Sequence, residues 1–268
     1  MHPIEHLRYV ARAHGADPVE IAIGAADALA SISRDPAAAL VSARRLVEHH
    51  PTNAPLWSVC AHAVTSMDPY RDVDDLARRI ANDPTATNLV DALDGASTIC
   101  MIGWSGHLVD ALARRGDIHA LVVDSLGDGQ DALRYLSRRE VSCELVAPEG
   151  LASAAECADA TILSALAVGN DSVLCAGGSL ALAAVAYCVE QPVWMVASEG
   201  TRLPDGLFTA MVAGVRDRPD PWASGFDVVP HALITSVFGP SITSGTADAL
   251  ARMKACPAAD ELLRRSVV

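Results

Sequence analysis

The stretch Thr98-Ile99-Cys100-Met101-Ile102, followed by Gly103-Trp104-Ser105-Gly106 and a helical run to Arg115, decides the fold. Five apolar or β-branched residues without a polar alternate read as a strand covered on both faces. The pattern returns at Ala120–Asp124, Cys143–Val146, Ala160–Leu163, Val193–Val196 and Phe226–Val229. Helical stretches intervene at Gly106–Arg115, Gly129–Arg139, Leu151–Cys157 and Ser179–Cys188. A repeated strand–helix–strand rhythm implies right-handed crossovers and a mainly parallel, doubly wound α/β sheet. Ligands of such sheets bind at the carboxyl ends of the strands, which directs attention to the loops after Ile102, Asp124, Leu163 and Val196. The proline- and glycine-bearing stretch Arg216–Gly225 reads as a surface loop before the last strand.

Upstream of Ser97 the period is helical. Asp-Pro recurs where helices should begin, at Asp17-Pro18, Asp35-Pro36, Asp68-Pro69 and Asp83-Pro84. Aspartate accepts from the free amides of the first turn, and proline fits a position whose own amide is unused. Glu20, three residues after Asp17, adds the pattern of a capping box. About five helices and no strand are expected, giving a helical N-terminal domain over 1–95 and an α/β domain over 96–268.

Composition narrows the class. The chain of 268 residues carries a net charge of −13, and Lys254 is its only lysine, so a basic surface that tracks nucleic acid is not expected. The seven cysteines are odd in number and never spaced as CxxC, which argues against a disulfide framework or a zinc site. The segment MHPIEHLRYV lacks the basic start and apolar run of a secretion signal, and no run approaches a membrane span. The expectation is a cytoplasmic protein with no cofactor, no metal and no membrane or nucleic-acid partner. Abundant alanine with arginine in place of lysine points to a GC-rich, bacterial source.

Seven residues are candidates for ligand binding. Gly103, Ser105 and Gly106 open a helix after the first strand, where free amides and a hydroxyl can hold an anion. Asp124 and Ser125 end the next strand, either as acceptors for a ribose diol or as a turn leading into Gly127-Asp128-Gly129. Gly178 and Ser179 form a second helix start, read as an anion cradle or as tight helix–sheet packing. Cys175 and Cys100 read as small buried hydrophobes before nucleophiles. His107, without a local acidic partner, reads as a helix-surface residue, and Arg202 as a solvated loop arginine before a residue that reaches a phosphate. Trp57 and Trp222 read as packing anchors for loops or a partner subunit.

The run Phe226-Asp227-Val228-Val229-Pro230-His231-Ala232-Leu233-Ile234-Thr235, with Gly239 beyond it, resembles the closing signature of the translation initiation factor 2B alpha/beta/delta subunit family, which includes the methylthioribose-1-phosphate and ribose-1,5-bisphosphate isomerases. Gly24-Ala25-Ala26-Asp27-Ala28-Leu29 is similar to that family's N-terminal Gly-Ala helix. Asp124-Ser125 is similar to its Glu-Ser strand end, Gly178-Ser179 with Leu182-Ala183 to its Gly-Thr helix start, and Gln191-Pro192-Val193-Trp194 to the strand that follows. The resemblance implies a helical N-terminal domain and a Rossmann-like, mainly parallel doubly wound sheet of the NagB/RpiA/CoA-transferase-like type. It also implies homodimers formed through the sheet domain.

Departures from the family pattern concern the chemistry. Gly103 or its neighbour stands where the isomerases carry a cysteine, Leu166 where they carry the catalytic aspartate, Cys175-Ala176 where they carry Asn-Lys, and Leu126 where they carry an arginine. A leucine moves no proton, and the lost cations leave hydroxyls and amides to hold a phosphate. The expected function is therefore a divergent, non-catalytic relative that binds a small phosphorylated metabolite, or a protein partner, in a regulatory or structural role. The alternative is a sugar-phosphate aldose–ketose isomerase, with Asp171 or Asp124 as base and Cys175 nearby. Nucleotide exchange is not expected, because the resemblance is to regulatory subunits.

Overall fold

The computed structural model describes residues 17–217, 220–241 and 245–264. Five helices come first: α1 (Pro18–Ser31), α2 (Pro36–His49), α3 (Ala54–Thr65), α4 (Pro69–Ala81) and α5 (Thr85–Ala92). Their starts follow the Asp-Pro reading. Asp17 Oδ1 accepts from Val19 N at 2.7 Å, Asp35 Oδ1 from Ala37 N and Ala38 N, and Asp68 Oδ1 from Arg71 N. Such caps contribute about 1 kcal/mol each. Asn53 caps α3 in the same way, accepting from Leu56 N at 3.0 Å. Close packing follows from small residues: Ala22, Ala25, Ala26 and Ala28 of α1 are essentially without exposure.

The remaining elements are β1 (Thr98–Ile102), α6 (Gly106–Arg115), β2 (His119–Val123), α7 (Asp128–Ser137), β3 (Cys143–Val146), α8 (Leu151–Cys157), β4 (Ala160–Ser164), β5 (Ala167–Val168), β6 (Ser172–Ala176), α9 (Ser179–Cys188), β7 (Val193–Val196), α10 (Asp205–Arg216), β8 (Phe226–Pro230), β9 (Ser236–Phe238) and α11 (Thr246–Arg252). Six strands form a wholly parallel sheet in the order β3-β2-β1-β4-β7-β9, with Thr98 opposite His119 and Ile99 opposite Ala160 fixing the central register. This is the expected doubly wound architecture.

Phe226–Val229 corrects one part of the expectation, because β8 is not in the parallel sheet. It pairs antiparallel with β6, and β6 with β5, in a separate sheet of order β5-β6-β8. Side chains alternate across it. Leu174, Phe226 and Val228 join the core built by α1–α4 and α10, while Val173, Cys175 and Val229 join the core under α8 and α9. Asp227 lies opposite Cys175, which aims it at the α9 side. The last parallel strand is β9, beyond a short turn at His231–Leu233. Helix α10 and the segment holding Cys256, Ala259 and Leu262 complete the core of the helical layer. Among the described residues no helix is long and apolar enough to cross a membrane.

Candidate functional site

From β1 the sheet grows through β2 and β3 on one side and through β4, β7 and β9 on the other, so the switch point lies between β1 and β4. A crevice opens there between the loops that leave the two strands. It is a cleft of about 540 Å³, roofed by the start of α1 and by Asn53 and Pro55. Its floor is Ser105, Ser164, Ala165, Leu166, Ser198 and Thr201.

Ser105 is 4% exposed, and its Oγ donates to Ser164 Oγ at 3.0 Å. Because the hydroxyl turns to Ser164, no side chain caps the first amides of α6. Trp104 forms one wall, edge-on to Tyr135 with centroids 5.6 Å apart, and Arg139 lies 3.7 Å over the Tyr135 ring. No lysine or arginine lines the cleft among the described residues. Of the three described acidic residues that line it, Asp17 is engaged in its cap and Asp110 with Arg114 at 2.6 Å, while Glu20 lies in the first turn of α1. A hydroxyl floor and an indole wall fit an uncharged sugar body better than a phosphate.

Three of the candidates meet outside that floor. Gly103 turns the chain at φ +64°, and a Cβ on it would lie 3.5 Å from Ser125 Cβ and from Ala176 Cβ. Ser125 Oγ donates to Gly177 O at 2.8 Å, tying the loop after β2 to the start of α9. The Asp124 carboxylate accepts from Gly127 N and Gly129 N, both at 3.1 Å, so the strand-end turn holds it in place of a diol.

The Gly178-Ser179 cradle is filled by the chain itself. Asp227 Oδ2 accepts from Gly178 N and from Leu180 N, each at 2.9 Å, and so occupies the place an anion would take. Ser179 Oγ is buried there without a hydrogen-bond partner. A second cleft of about 290 Å³ opens beside Asp124, Ser125, Gly178 and Asp227, with Trp222 and Leu126 on its rim.

Asp171 and Cys175 are not brought together. Asp171 sits in the turn before β6 and Cys175 near the far end of that strand, about 13 Å away at the rise of an extended chain. Burial lifts the Cys175 thiol well above its ordinary range, with the Asp227 charge adding to the effect. Burial also pushes the Cys100 thiol up to about 12.

His107 and Arg202 have partners that the sequence did not disclose. His107 Nε2 is 3.8 Å from Asp83 Oδ2, supplied by the start of α5 rather than by a local residue. The Asp83 side chain is itself only 3% exposed. It accepts from Thr85 N at 2.8 Å and from Glu199 N at 2.6 Å, pinning the loop after β7. Arg202 is half-buried rather than solvated, donating to Val168 O at 3.3 Å and to Asn170 Oδ1.

No family model matches the sequence, and no curated protein is significantly similar to it. Solved structures do match. The Pyrococcus horikoshii OT3 translation initiation factor eIF-2B superposes with a TM-score of 0.70 at 16% identity, covering 88% of this chain and 94% of that one. The chain has the fold of eIF2B subunits. The tetrameric eIF2B-beta2-delta2 complex from C. thermophilum matches at a TM-score of 0.70 and 14% identity over 92% of this chain and 91% of that one. The eIF2B delta subunit from Chaetomium thermophilum matches at 0.69 and 15% over 90% and 96%.

Within this eIF2B-like fold the run Phe226 to Gly239 gains a structural reason. Asp227 caps α9, Pro230 ends β8, and Gly239 passes so near Ala197 O that a Cβ would lie 2.6 Å from it. Leu166 lies on the floor of the switch-point cleft, at the place where the resemblance puts a catalytic aspartate.

Proposed function

We propose that the protein is a non-catalytic, eIF2B-like subunit that binds a small phosphorylated metabolite, with the sugar part in the switch-point cleft between a helical domain, 1–95, and an α/β domain, 96–268. The observation that carries this reading is the floor of that cleft. The Ser105–Ser164 hydroxyl pair and the Trp104 wall give a sugar hydrogen bonds and a flat face, while Leu166 supplies no proton-transfer group. Binding without turnover suits a regulatory or structural role.

A second reading, sugar-phosphate isomerisation, is favoured by one feature, the His107 imidazole at the cleft wall with the Asp83 carboxylate behind it. Its distance of 3.8 Å is too long for a hydrogen bond, and Ser105 donates to Ser164.

Assembly as a homodimer belongs to the same proposal. Leu126 and Trp222 are 82% and 85% exposed on the rim of the cleft beside Asp227. Large apolar side chains grouped at one rim suit a second copy of the chain. The solved complex of beta and delta subunits, a tetramer, supports an oligomeric habit.

The test is a thermal-shift panel of ribose-1,5-bisphosphate, methylthioribose-1-phosphate, AMP and GDP, with each reaction followed by NMR. A ligand at 100 times its Kd adds about 2.7 kcal/mol of stability. Stabilisation by a sugar phosphate that Trp104→Ala abolishes, without conversion, is the expected result. Conversion that disappears in His107→Asn would establish the isomerase instead, and no stabilisation by any of the four would overturn ligand binding.

A further inference from the structure

Basic side chains are scarce in this chain, yet four of its twenty converge on one cleft. The cleft, of about 230 Å³, lies beyond the carboxyl ends of β7 and β9. Arg79 reaches it from α4, Arg202 from the loop after β7, and Arg252 and Lys254 from the end of α11 and the residues just past it. Glu199 is the lone carboxylate among the described lining residues, and it is bound to Arg79 at 2.9 Å. Arg252 and Lys254 make no ion pair with any described residue. In a chain of net charge −13, the open cations Arg252 and Lys254, beside the Arg79–Glu199 pair and an Arg202 that donates to Val168 O and Asn170 Oδ1, make this lining net positive.

The rim is built and held. Glu199 N donates to the buried Asp83 carboxylate, and Asn88 Nδ2 donates to Gly239 O at 2.8 Å and to Pro240 O at 3.1 Å. Gly239 cannot carry a Cβ without striking Ala197 O. Arg202 is partly desolvated, and burial holds its pKa below the ordinary value. The nearby His62 is held below its usual pKa chiefly by burial, with the Arg79 and Lys254 charges lowering it further and the Ser58 carbonyl and the Asp72 charge acting the other way. A positively charged pocket whose rim is held by hydrogen bonds at Glu199, Gly239 and Pro240 is the arrangement a phosphate dianion stabilises most.

We propose that this cleft is an anion site that takes the phosphate group of a small metabolite. It is separate from the switch-point cleft, although Ser198 lines both, and it does not depend on what the hydroxyl floor holds.

Lys254 is the only lysine, so it reports on the cleft directly. The whole chain is treated with an amine-reactive reagent, and labelling of Lys254 is read by mass spectrometry with inorganic phosphate or with sodium chloride at matched ionic strength. Phosphate is expected to slow labelling at least tenfold, and chloride to leave it unchanged. In Arg252→Gln, an exposed substitution, the melting temperature without phosphate stays the same and the phosphate midpoint rises about tenfold, the factor that 1.4 kcal/mol corresponds to. Equal protection by chloride, or an unmoved midpoint in Arg252→Gln, overturns the site. Equal protection by acetate overturns its assignment to phosphate. Ser105→Ala leaves these readings unchanged, so a failure of the switch-point reading and a failure of this one are told apart.

Discussion

Replacing Asp227 by alanine removes the only side-chain acceptor among the described residues that holds the start of α9. Two amide bonds of 2.9 Å to one carboxylate oxygen are lost, from Gly178 N and Leu180 N. A charged hydrogen bond contributes about 1.5–3 kcal/mol when its partner is left dry, and an N-cap about 1 kcal/mol when water can take its place. Asp227 lines an open cleft, so water reaches the freed amides and the two bonds together contribute about 2 kcal/mol. For a chain of this size that lowers Tm by about 4–8 °C. Urea unfolding of Asp227→Ala should show a lower midpoint with an unchanged slope, since β8 keeps its pairing to β6. Asp227→Asn retains one acceptor oxygen and should cost about half as much. Formate should restore part of the alanine variant's stability by filling the vacated place. A cost below about 0.5 kcal/mol, or equal costs for the two variants, would refute the claim that this carboxylate occupies an anion cradle.

Four further outcomes follow from the same geometry. Cys157 and Cys188 are exposed whereas Cys60, Cys100, Cys175 and Cys256 are buried, so a thiol reagent should label the first two quickly and the other four only on unfolding. Burial pushes Cys256 to about 11 and Cys100 to about 12, so above pH 9 the unfolded chain loses thiol protons that the folded chain keeps, and stability measured by urea titration should fall as pH rises. Asp159 is held below its ordinary value by hydrogen bonds from Thr98 N, Ser97 N and Ser97 Oγ; its contribution is present above pH 3.8 and lost as pH falls below it, so the difference in Tm between the wild type and Asp159→Ala should shrink as pH falls below 3.8. Leu126→Asp with Trp222→Asp should convert a dimer to a monomer in light scattering while leaving the circular dichroism spectrum unchanged, and a wild-type monomer would end the dimer proposal.

The parallel sheet was legible because each of its central strands is buried on both faces and therefore continuous in hydrophobicity, and Thr98–Ile102, Cys143–Val146 and Val193–Val196 match the observed strands residue for residue. The antiparallel sheet was not. Phe226-Asp227-Val228-Val229 looks like its parallel neighbours, and its direction is set by pairing with Ser172–Ala176, fifty residues away and itself preceded by only a two-residue strand. A signal was present in Gly169-Asn170-Asp171, a turn sequence between two apolar pairs. Helix α10 carried one too, in Leu207, Phe208, Met211 and Val215 on one buried face. The candidate site was legible in a different way. Sequence spacing found Ser105 at a helix start and Gly178 at another, but whether a helix start is open or filled depends on a distant side chain, and Asp227 closes one while Ser105, turned toward Ser164, leaves the other uncapped. The basic cleft was out of reach for the same reason. Arg79 and Arg252 are 173 positions apart and read locally as ordinary last-turn helix cations, and only the placement of α4 beside the β7 and β9 loops turns them into one field. Charge scarcity in a sequence therefore says little about where charge is concentrated, and a chain that is acidic as a whole can still present a site for an anion.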